Sequence, residues 1–223
     1  MIQIYGLAYR RPDYLEKCIE SLFINRSEPV EINVAESKSP VSLRPLLEGY
    51  VKGGQIKRAC IFEENVASWG LQKMIEDFPP QDKFFIMTDL DLIVPTGCDY
   101  LGIIREAQER NVLTGCTLSL ENYVPPNWGY GGDADGFGGW LMSLRTDIWK
   151  QYPAGCPIAD AWIIEFFKHF GLVEKLLDIR LYHLAWDLWK DDPEYLEHKI
   201  QNHAAIFNNG NRPVNLNYEL IER

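Results

Sequence analysis

The chain has 223 residues, 46% of them hydrophobic and 13% aromatic, and a formal net charge of −10. That length and apolar content can bury one sizeable core and fit a single large α/β domain. The acidic balance argues against a general nucleic-acid binder, which needs Lys and Arg gathered on one face, so no nucleic-acid partner is expected. It does not exclude a small phosphate ligand held through a metal ion.

Cys18, Cys60, Cys98, Cys116 and Cys156 are scattered, with no C-x-x-C spacing. Such a set reads as reduced thiols of an intracellular protein. The opening MIQIYGLAYRRPDY has no basic segment leading into a long apolar one, so no signal peptide is expected. No window reaches the roughly 18 apolar residues of a spanning helix. The expected location is the cytoplasm, with peripheral docking at a membrane surface left open.

In chain order, IQIYGLAY (2–9) is short, apolar and β-prone. RRPDYLEKCIESLF (10–23) places Pro12 in a first helical turn and repeats Leu15, Cys18, Ile19, Leu22 and Phe23 at helical spacing. VEINVAES (30–37) alternates as a strand. SPVSLRPLLEGYVKGG (39–54) reads as a helix ended by paired glycines. QIKRACIFEE (55–64) is a strand candidate, NVASWGLQKMIEDF (65–78) a helix closed by PPQD, and FFIMTD (84–89) a strand. The first 90 residues thus predict βαβαβαβ, an αβα sandwich with a mainly parallel central sheet.

Further on, 97–111 is predicted as a helix, 112–120 as a strand, and 139–149 as a strand followed by a helix. ADAWIIEFFKHFG (159–171) is a helix with Trp162, Phe166 and Phe170 at i, i+4 and i+8. DIRLYHLAWD (178–187) reads as a last strand. Between 121 and 139 lies a Gly- and aromatic-rich stretch that suits a functional loop. The expected division is a domain over 1–187 and a C-terminal helical extension over 188–223 that becomes loose in its Asn-rich part.

The segment FFIMTDLDLIVP (84–95) sets Asp89 and Asp91 at the carboxyl end of the fourth strand. Ligands of parallel α/β sheets bind at that edge. Residues i and i+2 of a strand point the same way, so the two carboxylates can converge. Converging like charges call for a cation or a retained proton, and Mg²⁺ or Mn²⁺ suits oxygen ligands. The plain alternative is a pair of solvated acids just past a strand end. Asp160 likewise has a plain role at a helix start, facing the exposed N–H groups. A lone histidine such as His183 is ordinarily a satisfied core or surface residue.

The order of segments resembles family 2 glycosyltransferases of the GT-A fold. GLAYRRPDYLEKCIESLF looks like that family's opening strand, turn and helix, and INVAESKS stands where its second strand ends in acids. EENVASWGLQKMIE resembles its "ENxG" helix start, and FFIMTDLDLIVP its D-x-D strand. GFGGWLMSLRTDIWKQ, IADAWIIEFFKHFG and LYHLAWD are similar to its later segments, so the resemblance runs from residue 1 to about 187.

The resemblance implies a nucleotide-binding half over 1–95 and an acceptor and catalytic half over 96–187. It implies a metal-dependent, inverting transfer of a sugar from a nucleotide-sugar donor, UDP-sugar favoured, to a hydroxyl of a glycan or glycoconjugate. Leu7, Ala8, Tyr9 and Arg10 would wall the nucleotide pocket, and Glu36 would meet the base or ribose. Asp89 and Leu90 would contact the donor, while Asp91, His183 and Asp89 would hold Mn²⁺ (or Mg²⁺). Asp160 would be the general base. Gln72 and Lys73 stand where the family carries an arginine for the diphosphate, with Lys73 as its substitute, and Ala159 replaces the acid before Asp160. Two rival readings remain: a sugar-nucleotide-binding module without catalysis, and a phosphohydrolase of the haloacid-dehalogenase type.

Overall fold

A computed structural model of the chain describes residues 1–110, 113–118, 141–154, 156, 158, 160–171, 173–184, 193, 197 and 212–223. The first half alternates as its pattern predicts: β1 (Ile2–Ala8), α1 (Pro12–Ile24), β2 (Val30–Glu36), α2 (Arg44–Gly53), β3 (Arg58–Phe62), α3 (Ser68–Asp77) and β4 (Phe84–Asp89). Then come β5 (Leu92–Ile93), α4 (Tyr100–Glu109), β6 (Leu113–Leu118), β7 (Leu141–Arg145), α5 (Thr146–Trp149), α6 (Asp160–Lys168), β8 (Val173–His183) and β9 (Tyr218–Glu222).

The described strands form one sheet in the order β5-β8-β6-β7-β4-β1-β2-β3-β9. β4, β1, β2 and β3 are mutually parallel, as helical crossovers between neighbours require. β7 runs antiparallel between β4 and β6, and β6 and β8 are parallel beyond it.

Strand alternation sorts the side chains into two layers. Ile4, Ile32, Val34 and Ile86 share a cluster with Leu15 and Ile19 of α1, Leu47 of α2 and Tyr100 of α4. Tyr5, Ala35, Phe85 and Met142 share the other with Trp69 and Met74 of α3 and Ile163 and Phe167 of α6. Helices therefore cover both faces, and each fully buried Leu or Ile contributes about 1.5–3 kcal/mol. Of the aromatic row at i, i+4 and i+8, Trp162 of α6 and Phe170 just past its end are exposed and Phe166 is half-buried against the second cluster, while Ile163 and Phe167 are fully buried.

Several boundaries differ from expectation for physical reasons. α3 begins at Ser68 rather than Asn65. Ser37 Oγ accepts the N–H groups of Val66 and Ala67, each at 2.8 Å, and Ala67 has φ 47° and ψ −135°, so the backbone there is not helical. α2 begins at Arg44, because Ser39 upstream is tied to Arg10 and Glu36. β8 starts at Val173, well before residue 178, and its register against β6 shifts opposite Cys116 and Thr117.

The extension over 188–223, expected to be helical and then loose, ends in a strand of the main sheet. Arg212 pairs with Glu76, the Tyr218 hydroxyl donates to Asp77 Oδ2 at 2.6 Å, and β9 then lies antiparallel to β3. Tyr218 and Ile221 pack onto opposite faces of the sandwich, and β9 covers what would be an open edge. The stretch 121–139 with Asp133 and Asp135, and Trp128, Trp140, Trp186 and Trp189, lie outside the described residues.

Candidate active site

The carboxyl ends of β1, β2 and β4 lie side by side. Leu7 pairs with Asp89 and Ala8 with Glu36. Leu90 N–H donates to the Leu7 carbonyl and Ser37 N–H to the Ala8 carbonyl, both at 3.3 Å. Leu90 turns into the core at 3% exposure and leaves Asp89 and Asp91 half-buried on either side of it. Gly6 makes room for that turn: a Cβ there would stand 2.5 Å from Leu90 Cγ.

The apolar residues after Asp91 form β5, whose Leu92 pairs with His183 of β8. Leu184 N–H donates to the Asp91 carbonyl at 2.8 Å, which fixes the two chains together. His183 Nε2 then lies 3.1 Å from Asp91 Oδ1, with the imidazole 4% and the carboxylate 17% exposed. One ligand atom from each of Asp89, Asp91 and His183 falls within 4.8 Å of the others. Two carboxylate oxygens and an imidazole nitrogen form a donor set that fits a divalent cation, the oxygens suiting Mg²⁺ or Mn²⁺ and the imidazole favouring Mn²⁺. The structure thus brings together the three residues that the resemblance implies as metal ligands. Burial, reinforced by the Asp91 and Asp89 charges, pushes the nearby Cys18 thiol up, so it is a protonated packing group.

Around this cluster stand the residues read from the sequence as the nucleotide wall. Arg10 has φ 68°, and its N–H donates to Ser39 Oγ at 2.8 Å. Ser39 N–H donates to Glu36 Oε1 at 2.6 Å. Glu36 is buried at 3% exposure, so one of its oxygens shapes the loop after β2. Burial holds the Tyr9 phenol above its ordinary value; Arg10 opposes this, Glu36 reinforces it, and a hydrogen bond with Asn65 opposes it. Arg10, Lys38 and Ala67 have φ of 68°, 41° and 47°. These strained backbones follow three successive strands, and such strain clusters at functional sites.

Two further expected residues lie on α6 and α3. Asp160 is the first residue of α6, and its side chain lies outside the described residues. Lys73 Nζ is paired with Asp77 Oδ1 at 2.5 Å, one turn further along α3. Sequence reasoning missed Ser37 and Gly6, one tying α3 to the sheet edge and the other admitting Leu90. The sequence signal for Ser37 was its place directly after a strand; Gly6 had none beyond its lack of a side chain.

No protein-family model and no curated protein matches the sequence. Solved structures do match. S. aureus TarS in complex with UDP aligns at TM-score 0.62 and 12% identity, over 81% of this chain and 59% of that one. The mannosyltransferase PcManGT from Pyrobaculum calidifontis, in complex with GDP-Man and Mn²⁺, aligns at TM-score 0.61 and 13% identity, over 95% of this chain and 65% of that one. GalNAc-T7 with UDP, GalNAc and Mn²⁺ aligns at TM-score 0.61 and 12% identity, over 82% and 43%. The chain spans less than two thirds of the length of each of these proteins, and at such identities the likeness is one of architecture. With its parallel β4-β1-β2-β3 core and an acidic turn at the carboxyl edge, the chain has the GT-A fold of nucleotide-sugar glycosyltransferases.

Proposed function

We propose that this chain is a metal-dependent glycosyltransferase that moves a sugar from a nucleotide-sugar donor to a hydroxyl of a glycan or glycoconjugate. The observation that carries the reading is the convergence of Asp89, Asp91 and His183 at the carboxyl edge of a GT-A sheet. The three solved structures support it through what they hold: UDP in one, GDP-Man and Mn²⁺ in another, UDP, GalNAc and Mn²⁺ in the third.

Asp89, Asp91 and His183 would hold the cation, which neutralises the charge that gathers on a leaving nucleoside diphosphate. Leu7, Ala8, Tyr9, Arg10 and Glu36 line the nucleotide, with a UDP-sugar as the favoured donor. Asp160, at the start of α6, takes the proton of the acceptor hydroxyl as its oxygen attacks the anomeric carbon. A base acting on the acceptor in a single displacement inverts that carbon. Among the described residues no helix is long and apolar enough to cross a membrane.

Calorimetric titration of UDP, GDP and dTDP, each with and without Mn²⁺, tests the reading on wild type and Asp91→Ala. Binding of one nucleotide that needs Mn²⁺ and disappears in the variant is expected. Absence of binding in every metal condition sinks the reading, and hydrolysis of a generic phosphate ester with Mg²⁺ would then favour a phosphohydrolase. Binding without turnover of any nucleotide sugar would instead mark a binding module.

A further inference from the structure

Among the described residues, two buried polar atoms on α3 have no hydrogen-bond partner: Ser68 Oγ and Gln72 Oε1. Four residues apart on a helix, they share one face. Gln72 is 4% exposed, and its Nε2 donates to the Ala154 carbonyl at 3.3 Å. Ala154 belongs to the segment that leads into α6, the helix that Asp160 opens. Ser68 is the first residue of α3, and Ser37 at the carboxyl end of β2 pins the two residues before it. Ser68 therefore starts α3 at the carboxyl edge of the sheet, and Gln72, one turn on, faces the approach to α6.

A buried polar atom without a partner is costly, and native chains keep few of them. Two on one helical face mark a place where a donor group belongs. Ser68 and Gln72 are themselves uncharged, so what they call for is a neutral polar group. Gln72 Oε1 can only accept, and Ser68 Oγ can accept or donate. The matching ligand group is neutral and carries O–H or N–H.

We propose that Ser68 and Gln72 form a subsite for a hydroxyl or amide N–H of the sugar carried by the nucleotide. The inference rests on the glycosyltransferase reading and assigns to these residues the reading of the sugar rather than of the nucleotide.

The test is calorimetry in Mn²⁺ with UDP, GDP, dTDP and their hexose and N-acetylhexosamine conjugates. It compares wild type with Ser68→Ala, Gln72→Met and the double variant. The variants should bind the free nucleoside diphosphate within about twofold of wild type, while the best nucleotide sugar weakens about tenfold or more. The ligand-free melting temperature of Ser68→Ala should hold or rise, because an apolar group replaces an unpartnered polar one; Gln72→Met also gives up the bond to the Ala154 carbonyl, so the stability readout is taken on Ser68→Ala. Equal losses for nucleotide and nucleotide sugar, with a lower melting temperature, would show a structural role and overturn the proposal. No change for either ligand would mean that no sugar group meets Ser68 or Gln72, and overturns the proposal. A wild type that binds the nucleotide but gains nothing from any sugar also overturns it, with the glycosyltransferase reading intact. A wild type that binds none of the probes removes both.

Discussion

His183 Nε2 lies 3.1 Å from Asp91 Oδ1 although 92 residues separate them. The pairing of β5 with β8 makes that contact, since Leu92 sits opposite His183. Removing the imidazole leaves two carboxylates to hold a cation. His183→Ala should therefore weaken Mn²⁺ binding by about tenfold or more, roughly 1.4 kcal/mol or greater. Titration of Mn²⁺ followed by electron paramagnetic resonance reads the change, and equal affinity in the variant would remove His183 from the site.

Gly6 links the core to the same cluster. An added Cβ meets Leu90 Cγ at 2.5 Å and both of its methyl carbons within 2.7 Å, and Leu90 joins the two aspartates in sequence. Gly6→Ala should cost about 1–3 kcal/mol as an overpacked core position. Because the clash moves the D-L-D turn, Mn²⁺ affinity should fall along with stability. Urea unfolding together with metal titration separates the two effects; a destabilised protein with intact metal binding would show that the turn does not depend on Leu90.

Ala67 adopts φ 47° and ψ −135°, a region that glycine occupies freely and other residues do at a cost of about 1–3 kcal/mol. Part of that relief is offset by the greater freedom of glycine in the unfolded chain. Ala67→Gly should raise stability by about 1 kcal/mol in urea unfolding. A loss of stability would mean that the methyl group packs more favourably than its backbone is strained.

Asp99 caps α4, accepting the Gly102 N–H at 2.9 Å and the Ser27 hydroxyl at 2.5 Å. The Ser27 and then the Gly102 hydrogen bond hold its carboxyl below the ordinary value. A lowered folded-state value means that the carboxylate stabilises the protein above the unfolded-state value and that this stability is lost as pH falls through the folded one. Asp99→Ala should cost about 1 kcal/mol at neutral pH, as lost caps do. The gap between variant and wild type should close on acidification below the usual carboxylate range. A gap that stays constant with pH would show that the ionised form is not what caps the helix.

The sequence showed the first seven elements because each is several residues long and carries a clean period of 2 or 3.6. It showed Asp89 and Asp91 because a strand must end somewhere, and this one ends in acids. It could not show how His183 reaches them. β5 is two residues long, too short for any period, and it exists only because β8 lies beside it. β8 was read short because the register shift against β6 breaks its alternation. β9 was missed for another reason: Glu219 and Glu222 flank an apolar pair in a polar tail, and only the open edge of β3 makes a strand of them. Lys73, expected at the diphosphate from its place in the family pattern, also has a partner within α3 that its i,i+4 spacing to Asp77 makes legible.

The pairing of β9 with β3 joins residues 218–222 to residues 58–62, and it has a consequence for synthesis. While the chain emerges from the ribosome, the strand RACIF keeps one flank unpaired until residue 222 has been made. Closure over so long a loop comes late in folding. A nascent or truncated chain therefore displays a short, apolar, β-prone edge, the kind that recruits other chains. Cultures that make protein ending before residue 218 should yield inclusion bodies.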